Sequence, residues 1–265
     1  MNAVAIVPAR YFSSRLPGKA LLEIEGRPMI LWTVERAGSA RGVSRVIVAT
    51  DDHRIVDVVT AAGYEALMTS PEHQSGSDRL AEVAATLEGV DVIVNVQGDE
   101  PLISPPTIER ALAALAANSE MMIATTDEEI FDPADVLSPD VVKVVTNDAG
   151  RAIYFSRQPI PFPRDAARRY GTLTQALEFE PELLRTFRKH TGLYVYRRKV
   201  LLEMTKWPQS RLERSESLEQ LRALEHGVYI GVVPAAAPSI GVDTPDDLAR
   251  VRALMAEVLC PTGSV

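Results

Sequence analysis

The sequence predicts an α/β protein built on a largely parallel sheet. Three observations carry that expectation. Through about residue 125, short apolar runs alternate with periodic stretches of helix length, the rhythm of βαβ units with right-handed crossovers. Near residue 127 the rhythm changes, and two apolar runs flank Asn147-Asp148-Ala149-Gly150, which reads as a hairpin. The 265 residues, 46% hydrophobic and 24% charged, have the composition and length to bury a substantial core.

The elements follow in order. Val4–Val7 is a first strand that ends in Pro8 and passes into a polar loop. Pro28 opens a helix through Ser39, since proline suits the first turn, and Met29, Ile30, Leu31 and Val34 mark its apolar face. Val46–Ala49 is a short strand; Thr50-Asp51-Asp52 then caps a helix over Ile55–Ala62 that Gly63 stops. Glu65–Met68 gives a third strand, followed by a polar loop and a helix through Leu87. Val90–Val96 is the most apolar strand, Pro106–Ala117 a helix, and Met121–Thr125 a fifth strand. The hairpin pairs Val141–Thr146 with Ala152–Phe155. Ser156–Arg188, rich in Arg and Pro, reads as a long irregular segment with a helical pattern only near Pro181–Arg188. Gly192–Tyr196 returns as a strand, Leu212–Glu225 is one periodic helix ended at Gly227, Val228–Val233 is a strand and Pro245–Val258 a closing helix. The expected organisation is a single domain over residues 1–258, with a lobe at roughly 127–196 and a tail at 259–265.

Three stretches carry candidate chemistry. The loop after the first strand holds Arg10, Arg15 and Lys19, with Gly18 before the lysine. Three cations on one loop repel each other unless they share an anion, and a triphosphate suits guanidinium forks and a lysine point charge. A solvated basic loop is the plain alternative, but ligands of open α/β sheets bind beyond the carboxyl ends of strands. Neither the Walker pattern nor G-x-G-x-x-G is present. The second stretch, VNVQGDEP at 94–101, ends an apolar strand in polar residues; Asp99 there suits a divalent cation, or else caps a simple turn. The third, GVDTPDDL at 241–248, offers Thr244 as helix cap with Asp247 three residues on, which leaves Asp243 available as a second metal ligand. In HQSGSDR at 73–79, backbone N–H groups with Ser75 and Gly76 could read a nucleobase edge, while Asp78 could be a cap.

The order and spacing of these motifs resemble the 3-deoxy-manno-octulosonate (Kdo) cytidylyltransferase family over about residues 4 to 256. The resemblance rests on A-R-x-x-S-x-R-L-P-G-K, HQSGSDR and VNVQGDEP, then Ala152–Arg157 with Ile160-Pro161, Lys189–Tyr194, LEQLR at 218–222 and GVDTPDDL. It implies a Rossmann-like sheet of nucleotide-diphospho-sugar transferase type with an antiparallel dimerisation lobe, magnesium as cofactor, and CTP and Kdo as substrates of a homodimer serving lipopolysaccharide biosynthesis. It implies that Arg10, Arg15 and Lys19 meet the CTP phosphates, that Ser75, Gly76 and Arg79 face the cytidine, and that Asp99 and Asp243 bind magnesium. Gln97, Arg157, His190, Tyr194, Glu219 and Gln220 would form the sugar-acid pocket. The sequence departs from the family at Ser77, where threonine is usual, and over Thr125–Ile130, where a more apolar stretch is usual. A different acceptor, such as a sialic acid or an amino-sugar analogue of Kdo, and a non-catalytic nucleotide-binding or regulatory protein on the same scaffold are the competing readings.

Bulk properties narrow the classes further. A net charge of −8, from 28 basic and 36 acidic residues, argues against a nucleic-acid surface, so the first loop concentrates its cations locally. The single Cys260 excludes an internal disulfide, and His53, His73, His190 and His226 are too dispersed for a zinc site. With no apolar run near ~18 residues, the expectation is a cytoplasmic protein with no membrane partner.

Overall fold

The computed structural model describes residues 1–12, 16–73 and 75–259. The chain forms two compact units: Met1–Glu109, Leu193–Thr205 and Ala236 onward make the first, Arg110–Gly192 and Lys206–Ala235 the second. Strand β1 (Ala3–Ala9) is apolar at every position and almost wholly buried, as a central strand covered on both faces must be. After it come one 3-10 turn at Lys19–Leu21 and the two-residue ladder β2 (Glu23–Ile24) with β3 (Arg27–Pro28). Helix α1 (Met29–Ser39) starts with Pro28 as its N-cap. β4 (Val43–Thr50), α2 (His53–Ala61), β5 (Glu65–Met68), α3 (Gly76–Thr86), β6 (Val92–Asn95) and α4 (Pro105–Ala117) continue the alternation. The Asp52 carboxylate caps α2 by accepting from the Arg54 N–H, and Gly63 follows the helix at φ 83°, as the sequence leads one to expect.

The second unit departs more from expectation. β7 (Ile123–Glu129) runs past the expected end at Thr125, because the Arg188 guanidinium answers Asp127 (Nε to Oδ2 2.8 Å) and makes a buried acid tolerable. After α5 (Pro133–Leu137), the hairpin β8 (Lys143–Thr146) and β9 (Ala152–Ser156) forms as read, antiparallel with Val144 opposite Phe155. The segment expected to be irregular contains α6 (Arg164–Tyr170) and α7 (Leu173–Phe179), each too short to show a convincing period. Gly171 at φ 90° separates them, and Thr172 caps the second. β10 (Arg188–Arg197) is twice the length the apolar run suggests and contributes residues to both units; α8 (Arg198–Met204) follows it in the first unit.

The helix expected over Leu212–Glu225 is two helices, α9 (Arg211–Glu216) and α10 (Gln220–Glu225). Ser217 breaks them by taking the left-handed conformation at φ 53°, and as a serine rather than a glycine it carries no sequence signal of that bend. A capping box between Ser210 and Glu213 starts α9. β11 (Ile230–Pro234) then pairs parallel with β7, and α11 (Pro245–Leu259) closes the described chain.

In the first unit β1 lies between β4 and β6, both parallel to it, with Ile6 opposite Ile47 and Asn95. β5 joins β4 in parallel, and the end of β10 pairs antiparallel with β6, Tyr194 opposite Asn95. A hydrophobic cluster of Ile24, Met29, Val242, Leu248, Val251 and Met255, with Leu16 and Leu22 against it, ties the loop after β1 to the start of α11. That packing brings together two segments more than two hundred residues apart. In the second unit Ile130, Val136, Leu177 and Phe187 form a separate cluster.

Candidate active site

Because β1 and β6 are parallel neighbours, the loops after both leave the same edge of the sheet. Their backbones nearly touch there: a Cβ on Gly98 would stand 2.8 Å from the Pro8 carbonyl oxygen, so only glycine fits. On the other side, the Val242 N–H donates to the Asp99 carbonyl at 2.9 Å and draws the entry to α11 against the same turn. Thr244 and Asp247 form the expected reciprocal cap, Asp247 N–H to Thr244 Oγ1 3.2 Å and Thr244 N–H to Asp247 Oδ2 2.9 Å. The Asp243 N–H also donates to Asp247 Oδ2 at 3.1 Å, while the Asp243 carboxylate stays outside the cap and lines the cleft.

Lys19 reaches this turn from the first loop. Gly18 at φ 68° packs on the Tyr11 ring and its N–H donates to the Tyr11 carbonyl at 2.8 Å, which closes the loop and starts the turn carrying Lys19. The ammonium donates to Asp99, to Asp243 Oδ1 at 2.9 Å and to the Val242 carbonyl at 3.3 Å. Burial pushes the Lys19 pKa down, but the charges and hydrogen bonds of Asp99 and Asp243 outweigh it and hold the ammonium above its ordinary range. Two carboxylates sharing one cation are also a donor set suited to magnesium, which takes one or two carboxylates and completes its shell from phosphate and water.

A cleft of about 390 Å³ opens over this arrangement, lined among others by Arg10, Lys19, Gly76, Arg79, Gln97, Asp99 and Asp243. Seven of the residues singled out in the sequence thus meet in the first unit. Arg10 donates to the His73 carbonyl at 2.8 Å, which ties the first loop to the one before α3. Arg79 is completely buried, donating to Asp51 Oδ2 at 2.7 Å and to the Thr69 hydroxyl, while its Nε finds no acceptor among the described residues. Gln97 donates to Asn95 Oδ1 at 3.3 Å. Ser75 is the N-cap of α3, accepting from the Asp78 N–H at 3.1 Å, so its side chain is engaged in starting the helix; Gly76 is the first helical residue. Arg15 lies outside the described residues. Tyr194 stacks with Tyr196 at 5.6 Å between ring centroids.

Arg157, His190, Glu219 and Gln220 belong to the second unit. His190 meets the Thr125 hydroxyl at 2.9 Å and stands edge-on to Phe155 at 4.9 Å; burial pushes its pKa down to about 3, so the ring is neutral near pH 7. The Arg157 guanidinium donates to the carbonyls of Glu216 (2.7 Å), Pro139 (2.9 Å) and Ser217 (3.4 Å). Glu219 precedes α10 and Gln220 is its buried first residue.

Two residues of this neighbourhood escape a reading of the sequence. Lys143 is completely buried, its ammonium donating to the carbonyls of Ser138 (2.8 Å), Val141 (2.6 Å) and Arg157 (2.6 Å). A lysine inside the apolar run Val141–Val145 is the signal that could have found it. Glu216 accepts from Ser156 and from the Arg157 N–H, but in the sequence it is one more acid on a helix.

A family model described as cytidylyltransferase matches residues 4–230. The chain is 52% identical to the 3-deoxy-manno-octulosonate cytidylyltransferase of Geobacter sulfurreducens, over 95% of this chain and 98% of the relative. It is 51% identical to the protein of that name from Trichlorobacter lovleyi, over 96% and 99%. Among solved structures it superposes with a TM-score of 0.87 and 44% identity on CMP:2-keto-3-deoxy-manno-octonic acid synthetase complexed with CTP, covering 97% of this chain and all of that one. A cytidylyltransferase from Leptospira borgpetersenii, at 15% identity and a TM-score of 0.63, shares the fold.

Proposed function

This chain belongs to the 3-deoxy-manno-octulosonate cytidylyltransferase family, and from that premise we propose that it transfers CMP from CTP to Kdo, giving CMP-Kdo and pyrophosphate for lipopolysaccharide biosynthesis. The observation that carries the reading is Lys19 held between Asp99 and Asp243 beneath a cleft at the carboxyl edge of the sheet. The anomeric oxygen of the acceptor bonds to the α-phosphorus while the bond from that phosphorus to the bridging oxygen breaks. Arg10, Arg15 and Lys19 meet the triphosphate and offset the charge that builds on its oxygens. Asp99 and Asp243 would hold magnesium, which when bound supplies further positive charge to the phosphate oxygens. Gly76 and Arg79 face the cytidine, with Ser75 setting the helix start on which they stand. Gln97, Arg157, His190, Tyr194, Glu219 and Gln220 serve the sugar acid by contact or by placing their neighbours. Residues 1–258 act as one nucleotidyltransferase domain, in a homodimer formed through the antiparallel lobe, and the reaction runs in the cytoplasm.

A non-catalytic nucleotide binder would need the cations but not two carboxylates beside them. Pyrophosphate release from CTP and magnesium separates the readings, measured with Kdo, with sialic acid and with neither. Release with Kdo alone is the expected result. Release with sialic acid alone would change the acceptor, and no release with either would overturn the proposed activity.

A further inference from the structure

We propose that Glu216 is a positioning residue for the acceptor side of the reaction, joining the end of β9 to the break between α9 and α10 so that Glu219 and Gln220 stand in a set place. The inference rests on the reading that Glu219 and Gln220 serve the sugar acid. Glu216 is the last residue of α9, and its carboxylate turns back onto β9. It accepts from the Ser156 hydroxyl at 2.8 Å, the Arg157 N–H at 3.0 Å and the Tyr154 hydroxyl at 3.5 Å. The connection is reciprocal, because the Arg157 guanidinium returns to the main-chain carbonyls of Glu216 and Ser217. Lys143 holds the Arg157 carbonyl as well, so this residue is tied at its N–H, its C=O and its side chain.

What the clasp encloses is the weak point of the helical segment. Ser217 sits at φ 53°, a conformation that costs a non-glycine residue energy and persists only where its surroundings over-determine it. The carbonyls on both sides of that bend are the ones Arg157 binds. Two residues later the chain reaches Glu219 and then Gln220, so any relaxation of the bend moves both. The strain at Ser217 is thus explained by what it places. A continuous helix would carry Glu219 and Gln220 round to other directions.

The chemistry of the contacts makes a specific forecast for variants. Ser156 and Tyr154 hydroxyls can accept as well as donate, whereas the Arg157 N–H can only donate. Glutamine at 216 can satisfy all three, its carbonyl oxygen accepting from Arg157 and its amide N–H groups donating to the hydroxyls. Alanine satisfies none.

The experiment measures steady-state kinetics of pyrophosphate release, varying Kdo at saturating CTP and CTP at saturating Kdo, for the natural chain, Glu216→Ala and Glu216→Gln, each checked for its thermal unfolding midpoint. Turnover of Kdo by the natural chain comes first, since its absence would sink the proposed activity and leave Glu216 unassigned to an acceptor. Given turnover, Glu216→Ala is expected to raise KM for Kdo at least tenfold with KM for CTP within twofold, and Glu216→Gln to recover KM for Kdo to within about threefold. A purely structural role lowers the active fraction, reducing kcat with neither KM changed. That pattern, or equal damage from Gln and Ala, would overturn the assignment. Ser156→Ala, which removes one of the bonds to Glu216 together with the one the hydroxyl accepts from the Gln158 N–H and keeps the charge, is expected to raise KM for Kdo by a smaller factor; no change in it alongside an unchanged Glu216→Ala variant would count against the clasp.

Discussion

Lys19 is the cation that lets Asp99 and Asp243 approach each other, and in the proposed reaction it would also face the triphosphate. Removing it should cost on the order of 3 kcal/mol in the barrier, by analogy with loss of an oxyanion donor, or roughly 100-fold in kcat. Lys19→Ala with near-normal turnover of CTP would remove this residue from the mechanism. His190 gives a second prediction, read in stability. Its pKa is about 3 in the folded protein against an ordinary 6.5. Below pH 6.5 the unfolded chain takes up a proton that the folded one refuses, so stability is fully present above 6.5 and is lost as pH falls toward 3. The loss is at most about 1.4 kcal/mol per pH unit in that window. Denaturant unfolding of the natural chain and His190→Gln at pH 7, 5.5 and 4.5 should show their stability gap changing in favour of the variant as pH falls; a constant gap would contradict the assignment.

At the scale of elements, the site depends on how closely two strand ends approach. Gly98 lets the turn after β6 lie against the Pro8 carbonyl, and the obstacle to any side chain is backbone, which cannot swing aside. Gly98→Ala should therefore cost about 1–3 kcal/mol as an overpacking change and also move the adjacent Asp99. Both a lower unfolding midpoint and a loss of turnover with CTP are expected. Full activity at unchanged stability would show that the turn has room. The two-helix arrangement of α9 and α10 teaches the complementary lesson. The burial that would mark a helix is unequal here, since α9 buries only Glu213 while α10 buries Gln220, Leu221, Arg222 and Ala223, and Ser217 is an ordinary polar residue that gives no sign of the bend.

For the whole molecule the open quantity is the assembly. Ile153, Phe131, Phe162 and Phe179 of the second unit are large apolar side chains left exposed on the single chain. Covering such residues is what a partner surface does. A second copy is the proposed partner, and light scattering should give a mass near twice the 29.0 kDa of one chain. A mass near 29.0 kDa at working concentration would refute the homodimer. No helix among the described residues is long and apolar enough to cross a membrane.

Much of this protein was legible from residues alone, and the reason is local. Strand β1, the alternation through α4, the hairpin around Asn147–Gly150 and the Thr244–Asp247 cap depend on side-chain period, turn residues and capping within a few positions. The first loop, the turn at Asp99 and Asp243 could be named for the same reason, because each is polar where a neighbouring pattern has no use for it. Only tertiary structure decided that Lys19, Asp99 and Asp243 form a single ionic group, since residues 19 and 243 meet through the packing of Leu16, Leu22 and Val242 in a common core. It also decided that Ser75 is spent on a helix cap, that Arg79 is buried against Asp51, and that Lys143 and Glu216 both bind the main chain of Arg157. A charged side chain earns its place by the partners it finds, and in these cases most of the partners lie far away in sequence.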